Sequence, residues 1–339
     1  MVLSARQPQD STTALRVGVV LPAYNESAHI ASVLTTIPSW VDRIFVVDDA
    51  STDTTATVAE SVADARVTVI RREHNGGVGA AMVTGYQAAL ETDVDVVVKM
   101  DADGQMHPED LERLVTPLVS GVGDYAKGNR FYFPNATADM PRVRGVGNAL
   151  LSIFTKLASG YWHMFDSQCG YTAIRTPFLR VIDLDRIAPD YFFENDMLIA
   201  LNAYNARVID VPVATIYGSE TSHVNVRRVA LSFPPRLMRA GTRRFWRKYL
   251  LTDFGVIAVL TLTGATLSGF GAIFGAYHWI ASTVSGEPAT TGTVMVAVAP
   301  LILGVQLILQ ALSLSVASSP GARESAEYVR SLIADGTIK

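Results

Sequence analysis

Two long stretches without a formal charge constrain this chain more than any other feature. None of Asp, Glu, Lys or Arg occurs between Asp253 and Glu287, or between Glu287 and Arg323. A membrane span needs about 20 mainly apolar residues to cross roughly 30 Å of hydrocarbon, and residues 254–281 and 293–317 both qualify. Pro300 could kink the second, which neighbouring helices in lipid tolerate. The alternative is a pair of buried helices in a large soluble core. The flanks set an orientation: "RLMRAGTRRFWRKYL" (236–250) places six Lys/Arg before the first stretch, whereas the loop between them carries only Glu287. The positive-inside rule then puts the large N-terminal part, and the tail, in the cytoplasm. The first 16 residues are polar, so no cleaved signal is expected.

At 339 residues the chain exceeds one typical domain. The expected order is a flexible stretch at 1–15, an α/β domain at 16–225, amphipathic interfacial helices at 226–250 broken at Pro234-Pro235, two membrane helices within 251–320, and a cytoplasmic tail at 321–339. A net charge of −4 argues against nucleic acid as a partner. The local basic run is better matched to anionic lipid headgroups. Cys169 is the only cysteine, which excludes an intrachain disulfide and a thiolate metal cluster.

From Arg16 onward, short apolar runs alternate with amphipathic ones. "RVGVVLP", "DRIFVVDD", "RVTVIRR", "DVVVKMDAD" and "DYAKGNR" read as strands, with helices at about 26–37, 53–63, 78–91 and 108–119. Such alternation predicts an α/β fold with a mostly parallel sheet. Pro108 suits the first turn of its helix, and Asp53 to Thr55 offer N-caps.

Ligands of open α/β sheets bind beyond the carboxyl ends of the strands. There stand Pro22, Tyr24 and Glu26, then Asp48 and Asp49, Asp101 and Asp103, and Arg130. Asp101 and Asp103 are two residues apart just past a strand, with Gln105 able to add an oxygen. Mg²⁺ and Mn²⁺ favour such ligands, and Mg²⁺ is commonly shared with substrate phosphates. For an isolated match, a solvated turn and helix cap would be the better account.

The motifs "VVLPAYNE", "FVVDDAST", "HNGGVGAA", "MDADGQ" and "KGNRF", in that order at strand ends, resemble the family 2 nucleotide-sugar glycosyltransferases of the GT-A fold over about residues 16–225. The resemblance implies that Asp101, Asp103 and Gln105 hold Mg²⁺ or Mn²⁺. It also implies that Pro22, Tyr24, Glu26 and Asp49 hold the nucleotide, Asp49 toward the base and Tyr24 near its ring, with Asp48 supporting that loop. Asn75, Gly76 and Gly77 precede a helix and could offer backbone donors to a ligand.

Beyond Gly128, the stretch to Tyr171 resembles the branch of dolichyl-phosphate mannose synthases and bacterial polyprenyl-phosphate glycosyltransferases. That likeness implies a lipid-phosphate site at Arg130, Arg144 and Asn148, Asn148 standing where some relatives have serine. Guanidinium groups there would offset repulsion between an entering phosphate and a nucleotide diphosphate. Asp166 would shape the acceptor loop or lie near the sugar. Glu194 and Asp196 would order that loop, with a general-base role as the alternative, since a lipid phosphate is already anionic near neutral pH. Tyr217 occupies the place where the branch often has a basic residue, so His223 or Arg227 would have to substitute.

The expectation is an inverting, metal-dependent hexosyltransferase at the cytoplasmic face of the cell membrane. It would move one sugar from a GDP- or UDP-linked donor to a polyprenyl phosphate. Its rivals are a processive polysaccharide synthase, whose usual Q-x-x-R-W motif is missing from "GTRRFWRKYL", and a catalytically silent membrane adaptor with the same fold. Gly264, Gly269, Gly271 and Gly275 could pack the spans within one chain or between the chains of a homo-oligomer.

Overall fold

A computed structural model of the chain describes residues 15–132, 142–214, 226–252, 254–335 and 337, with 142–150 and 226–231 described as backbone only. The chain forms two compact units. The first comprises Met1–Gly128, Gly170–Tyr191 and Val213–Ser219; the second comprises Asn129–Cys169, Phe192–Pro212 and Glu220–Lys339. The segment expected as one domain therefore contributes to both.

The first unit is the sheet. Strands β1 (Val17–Ala23), β2 (Arg43–Asp48), β3 (Val67–Arg71) and β4 (Val96–Lys99) run parallel in the order β3-β2-β1-β4. Next to β4 lies β6 (Thr172–Arg175), antiparallel to it, and then β5 (Tyr125–Asn129), antiparallel to β6. β1, β2 and β4 are almost wholly buried, which explains their unbroken Val, Ile and Leu runs. Between the strands come α1 (Ile30–Thr36), α2 (Thr55–Ser61), α3 (Val78–Leu90) and α4 (Asp110–Val119), close to their expected places. Pro108 lies two residues ahead of α4, in a turn whose carbonyl accepts the Leu111 N–H at 3.1 Å. Helix α6 (Thr176–Val181) follows β6.

The second unit contains α5 (Arg142–Ser159), α7 (Phe193–Ala203), β7 (Val208–Pro212) and α8 (Val226–Phe245). The expected break at Pro234-Pro235 does not occur, and α8 runs through both prolines. Phe233, Leu237 and Ala240 are buried at positions 0, 4 and 7 of one helix face. Phe233 also meets Phe192 edge-on at 5.2 Å. This packing holds the turn together where two backbone donors are missing. Arg244, in the last turn of α8, and Lys248, just beyond it, both donate to Asn202 Oδ1, at 2.8 and 2.9 Å, near the C-terminus of α7. Cations there are favoured by the helix dipole. Burial, then the Arg244 charge, pushes the Lys248 ammonium down to about 8.

Helices α9 (Val256–Ser285) and α10 (Thr291–Ala317) are the two long apolar segments. Only 17% and 6% of their most apolar stretches are buried, so they are not core helices of a soluble fold. They form a hairpin in which Gly264 faces the Gly304 carbonyl and Gly271 faces the Ala297 carbonyl. Close backbone approach of this kind replaces hydrophobic driving force inside lipid. The small residues are thus used within one chain, apart from Gly269, which faces open space.

The tail is part of the second unit. Helix α11 (Ala322–Ala334) brings Ser325 Oγ to the Asp210 N–H of β7, at 2.9 Å. Just past α10, Ser319 Oγ contacts the Gly160 carbonyl, the Trp162 N–H and His163 Nδ1, each at 3.2 Å. His163 Nε2 lies 2.9 Å from the Val208 carbonyl, so this nitrogen carries the proton of the neutral ring. Burial holds the imidazole below its ordinary value of 6.5. As pH falls below 6.5, the unfolded chain therefore binds a proton that the folded imidazole resists, and stability is lost. Above that value both states are neutral and this contribution is flat. Thermal unfolding followed against pH is expected to show the acid-side loss in the native protein and a smaller one in His163→Asn.

Candidate active site

In the first unit, pairing of Ala23 with Asp48 and of Val20 with Lys99 sets the ends of β2, β1 and β4 side by side. The loop after β1 is sewn to the loop after β2. Asn25, at φ +60°, accepts from the Thr52 N–H at 2.8 Å, its own N–H donates to Ser51 Oγ at 3.0 Å, and the Glu26 N–H donates to Thr55 Oγ1 at 2.8 Å. These bonds fix Pro22, Tyr24 and Glu26 and leave the Tyr24 ring 46% exposed, a flat surface able to stack on a base. The Glu26 carboxylate lies 3.3 Å from His29 Nδ1. Asp48 is buried and its Oδ1 accepts from the Ser51 N–H at 3.4 Å.

Asp49 is committed inside the protein. Its buried carboxylate accepts from the Gly76 N–H at 3.1 Å and the Gly77 N–H at 2.7 Å, and pairs with Arg72. The Gly76 and Gly77 donors, which could serve a ligand or simply form a Gly turn, are directed at Asp49 in this structure. Both donors lie just ahead of α3, at the positive end of its dipole, where a buried carboxylate is favoured. Asn75 precedes this turn.

Past β4, Asp101 and Asp103 leave the sheet with Gly104 at φ +74° between Asp103 and Gln105. Asp103 Oδ1 accepts from the Gln105 N–H at 2.9 Å. Asp101 is paired at 2.6 Å with the Nζ of Lys99, the last residue of β4, which is itself 1% exposed. Gly170 makes room for that pair, since a Cβ there would stand 2.5 Å from Nζ and 2.8 Å from Asp101 Oδ2. Among the described residues no three His, Cys, Asp or Glu side chains gather into a metal cluster. Two carboxylates and an amide fit a hard divalent cation that completes its shell with substrate phosphates.

In the second unit, Arg130 and Asp166 form a two-pronged pair, Nε to Oδ2 at 2.7 Å and Nη2 to Oδ1 at 3.0 Å, with Asp166 buried. Beside it, Asn129 Nδ2 donates to Asp210 Oδ2 at 2.6 Å and Asn129 Oδ1 accepts from the Phe131 N–H at 2.9 Å. Burial, then Asp210, pushes the Tyr132 phenol up to about 12. The Arg130 backbone is therefore held from both sides. Arg144 and Asn148 stand four residues apart on α5, on one face of the helix. Glu194 and Asp196 are buried in the first turn of α7, and Asp196 Oδ1 accepts from Arg243 Nη2 at 2.7 Å, which ties α7 to α8. Tyr217 and His223 lie outside the described residues, and Arg227 falls in the backbone-only part of α8.

Sequence reasoning passes over Lys99, Gly170, Arg72 and Arg243. The available signal is a charged residue closing an otherwise apolar strand immediately before the two aspartates.

Residues 18–183 match the family model described as Glycosyl transferase family 2. Over 230 residues the chain is 31% identical to the UDP-N-acetylglucosamine–dolichyl-phosphate N-acetylglucosaminyltransferase of Methanococcus voltae, covering 63% of this chain and 91% of that protein. It is 32% identical over 207 residues to the undecaprenyl-phosphate mannosyltransferase of Micrococcus luteus, covering 60% and 84%. Among solved structures it is similar to glucosyl-3-phosphoglycerate synthase of Mycobacterium tuberculosis in complex with Mn²⁺, UDP-glucose and phosphoglyceric acid. The TM-score is 0.52 at 21% identity, over 70% of this chain and 85% of that one, a likeness of fold.

Proposed function

Because the chain belongs to glycosyl transferase family 2, in its polyprenyl-phosphate branch, we propose that it moves one hexose-type sugar from a nucleotide sugar to a polyprenyl phosphate, inverting the anomeric carbon. One observation carries the acceptor assignment. The end of the second apolar helix is hydrogen-bonded through Ser319 to residues 160–163, and the same short segment leads to Asp166, the partner of Arg130. A guanidinium tied so closely to a membrane hairpin suits a phosphate whose isoprenoid tail stays in the bilayer.

In this reading Tyr24 stacks on the base, while Pro22, Glu26 and Asp48 shape the nucleotide loop. Asp49 acts through the Gly76–Gly77 turn rather than by touching the base. Asp101, Asp103 and Gln105 hold Mg²⁺ or Mn²⁺, which when bound neutralises charge on the departing diphosphate. Arg130, with Arg144 and Asn148, orients the acceptor phosphate so that one of its oxygens attacks the anomeric carbon opposite the departing diphosphate. No general base is needed for an anionic oxygen. Asp196, paired with Arg243, and Glu194 order the helix behind this segment. The basic run before α9 supports a cytoplasmic catalytic side by the positive-inside rule.

Release of nucleoside diphosphate by the purified chain in detergent tests the assignment. It is expected to require one member of a nucleotide-sugar panel, a polyprenyl phosphate and a divalent cation, and to stop on chelation. Release that ignores the lipid would overturn the acceptor.

A further inference from the structure

Lys99 is a buried cation for which the reaction outlined above has no use. It sits in a polar row within the first unit: β4 pairs Lys99 with Thr172, and β5 pairs Lys127 with the same Thr172. Directly opposed residues of antiparallel strands share a face of the sheet. All three are buried, and Thr172 Oγ1 has no hydrogen-bond partner among the described residues. Placing ammonium groups there is costly unless a carboxylate answers them. For Lys99 the answer is Asp101 at 2.6 Å, with the Gly170 carbonyl at 3.2 Å as a second acceptor. Gly170 leaves no Cβ to part them.

We propose that Lys99 is a positioning residue that keeps Asp101 from closing a metal site on its own, so that the divalent cation binds firmly only together with the donor's diphosphate. The inference rests on the reading of Asp101 and Asp103 as metal ligands. The ammonium occupies Asp101 Oδ1, and its charge repels a dication approaching the same carboxylate. Lys99, Asp101 and Asp103 together carry one net negative charge, a weak trap for a dication. Diphosphate oxygens add the missing charge and ligands. Metal and donor then enter as a unit, and after transfer the diphosphate carries the metal's hold away with it.

Binding of Mn²⁺ to the purified full chain, read from the EPR signal of free Mn²⁺, tests this without turnover. Titrations are run with metal alone and with UDP or GDP. Lys99→Met is expected to bind Mn²⁺ alone about tenfold tighter than the native chain, with a smaller further gain from nucleotide. Gly170→Ala, which forces the ammonium off the carboxylate while keeping its charge, is expected to shift in the same direction by less. It decides the matter if Lys99→Met does not fold. Unchanged or weaker Mn²⁺ binding in a folded variant would overturn the role of Lys99. If Asp103→Ala leaves native Mn²⁺ binding unaltered, the metal assignment itself is wrong and the inference falls with it.

Discussion

Asp103→Ala is expected to lower sugar transfer about a thousandfold, roughly 4 kcal/mol of transition-state stabilisation, with the fold retained. The size follows from what the side chain does in each state. In the free protein Asp103 Oδ1 accepts from the Gln105 N–H at 2.9 Å, in a turn already held by Gly104 at positive φ. Losing that bond costs about 1 kcal/mol. In the reaction the same carboxylate would fix the cation facing a leaving diphosphate, where charge grows most. Unfolding midpoint and turnover should therefore separate: a small change in the first, a collapse in the second. A parallel collapse of both would mean that Asp103 is only a turn residue.

Asp166→Ala is expected to raise the KM for polyprenyl phosphate at least about tenfold and to lower stability by about 2 kcal/mol, with donor affinity unchanged. Asp166 is 2% exposed and grips the Arg130 guanidinium with both oxygens. A two-pronged carboxylate fixes the plane of a guanidinium, and an arginine freed from it must be ordered by the acceptor itself. The stability cost stays below that of a fully buried pair because Arg130 is partly exposed. Asp166→Asn keeps one acceptor and should fall between native and alanine. Steady-state kinetics with each substrate varied in turn separates this role from a contact with the sugar, which would move the donor KM instead.

Much of this arrangement is legible in the sequence, and the failures have physical causes. Parallel strands buried on both faces announce themselves as apolar runs, and their ends mark where Tyr24, Asp49, Asp101 and Arg130 leave the sheet. The membrane hairpin is equally plain because charge is absent over two spans' length. Lys99 is hidden because a lysine closing a strand reads as a surface residue. Gly170, which accepts from it just ahead of β6, lies 71 residues further along. The bonds from Asp49 to the Gly76 and Gly77 N–H groups have no local spacing that sequence could show. The tail reads as a plain appendage, since Ser319 and Ser325 give no sign that they bond Gly160 and Asp210. Pro234-Pro235 signals a break by local chemistry, and the packing of Phe233 and Leu237 overrides it.

The most direct test of the central claim is mass spectrometry of the lipid fraction after the purified chain meets a polyprenyl phosphate, a nucleotide sugar and Mg²⁺ or Mn²⁺. The account predicts a polyprenyl phosphate heavier by one hexose-type residue, missing after chelation and with Asp103→Ala. A lipid or soluble product carrying a chain of sugars, or a lipid left unmodified while the donor is consumed, would contradict it.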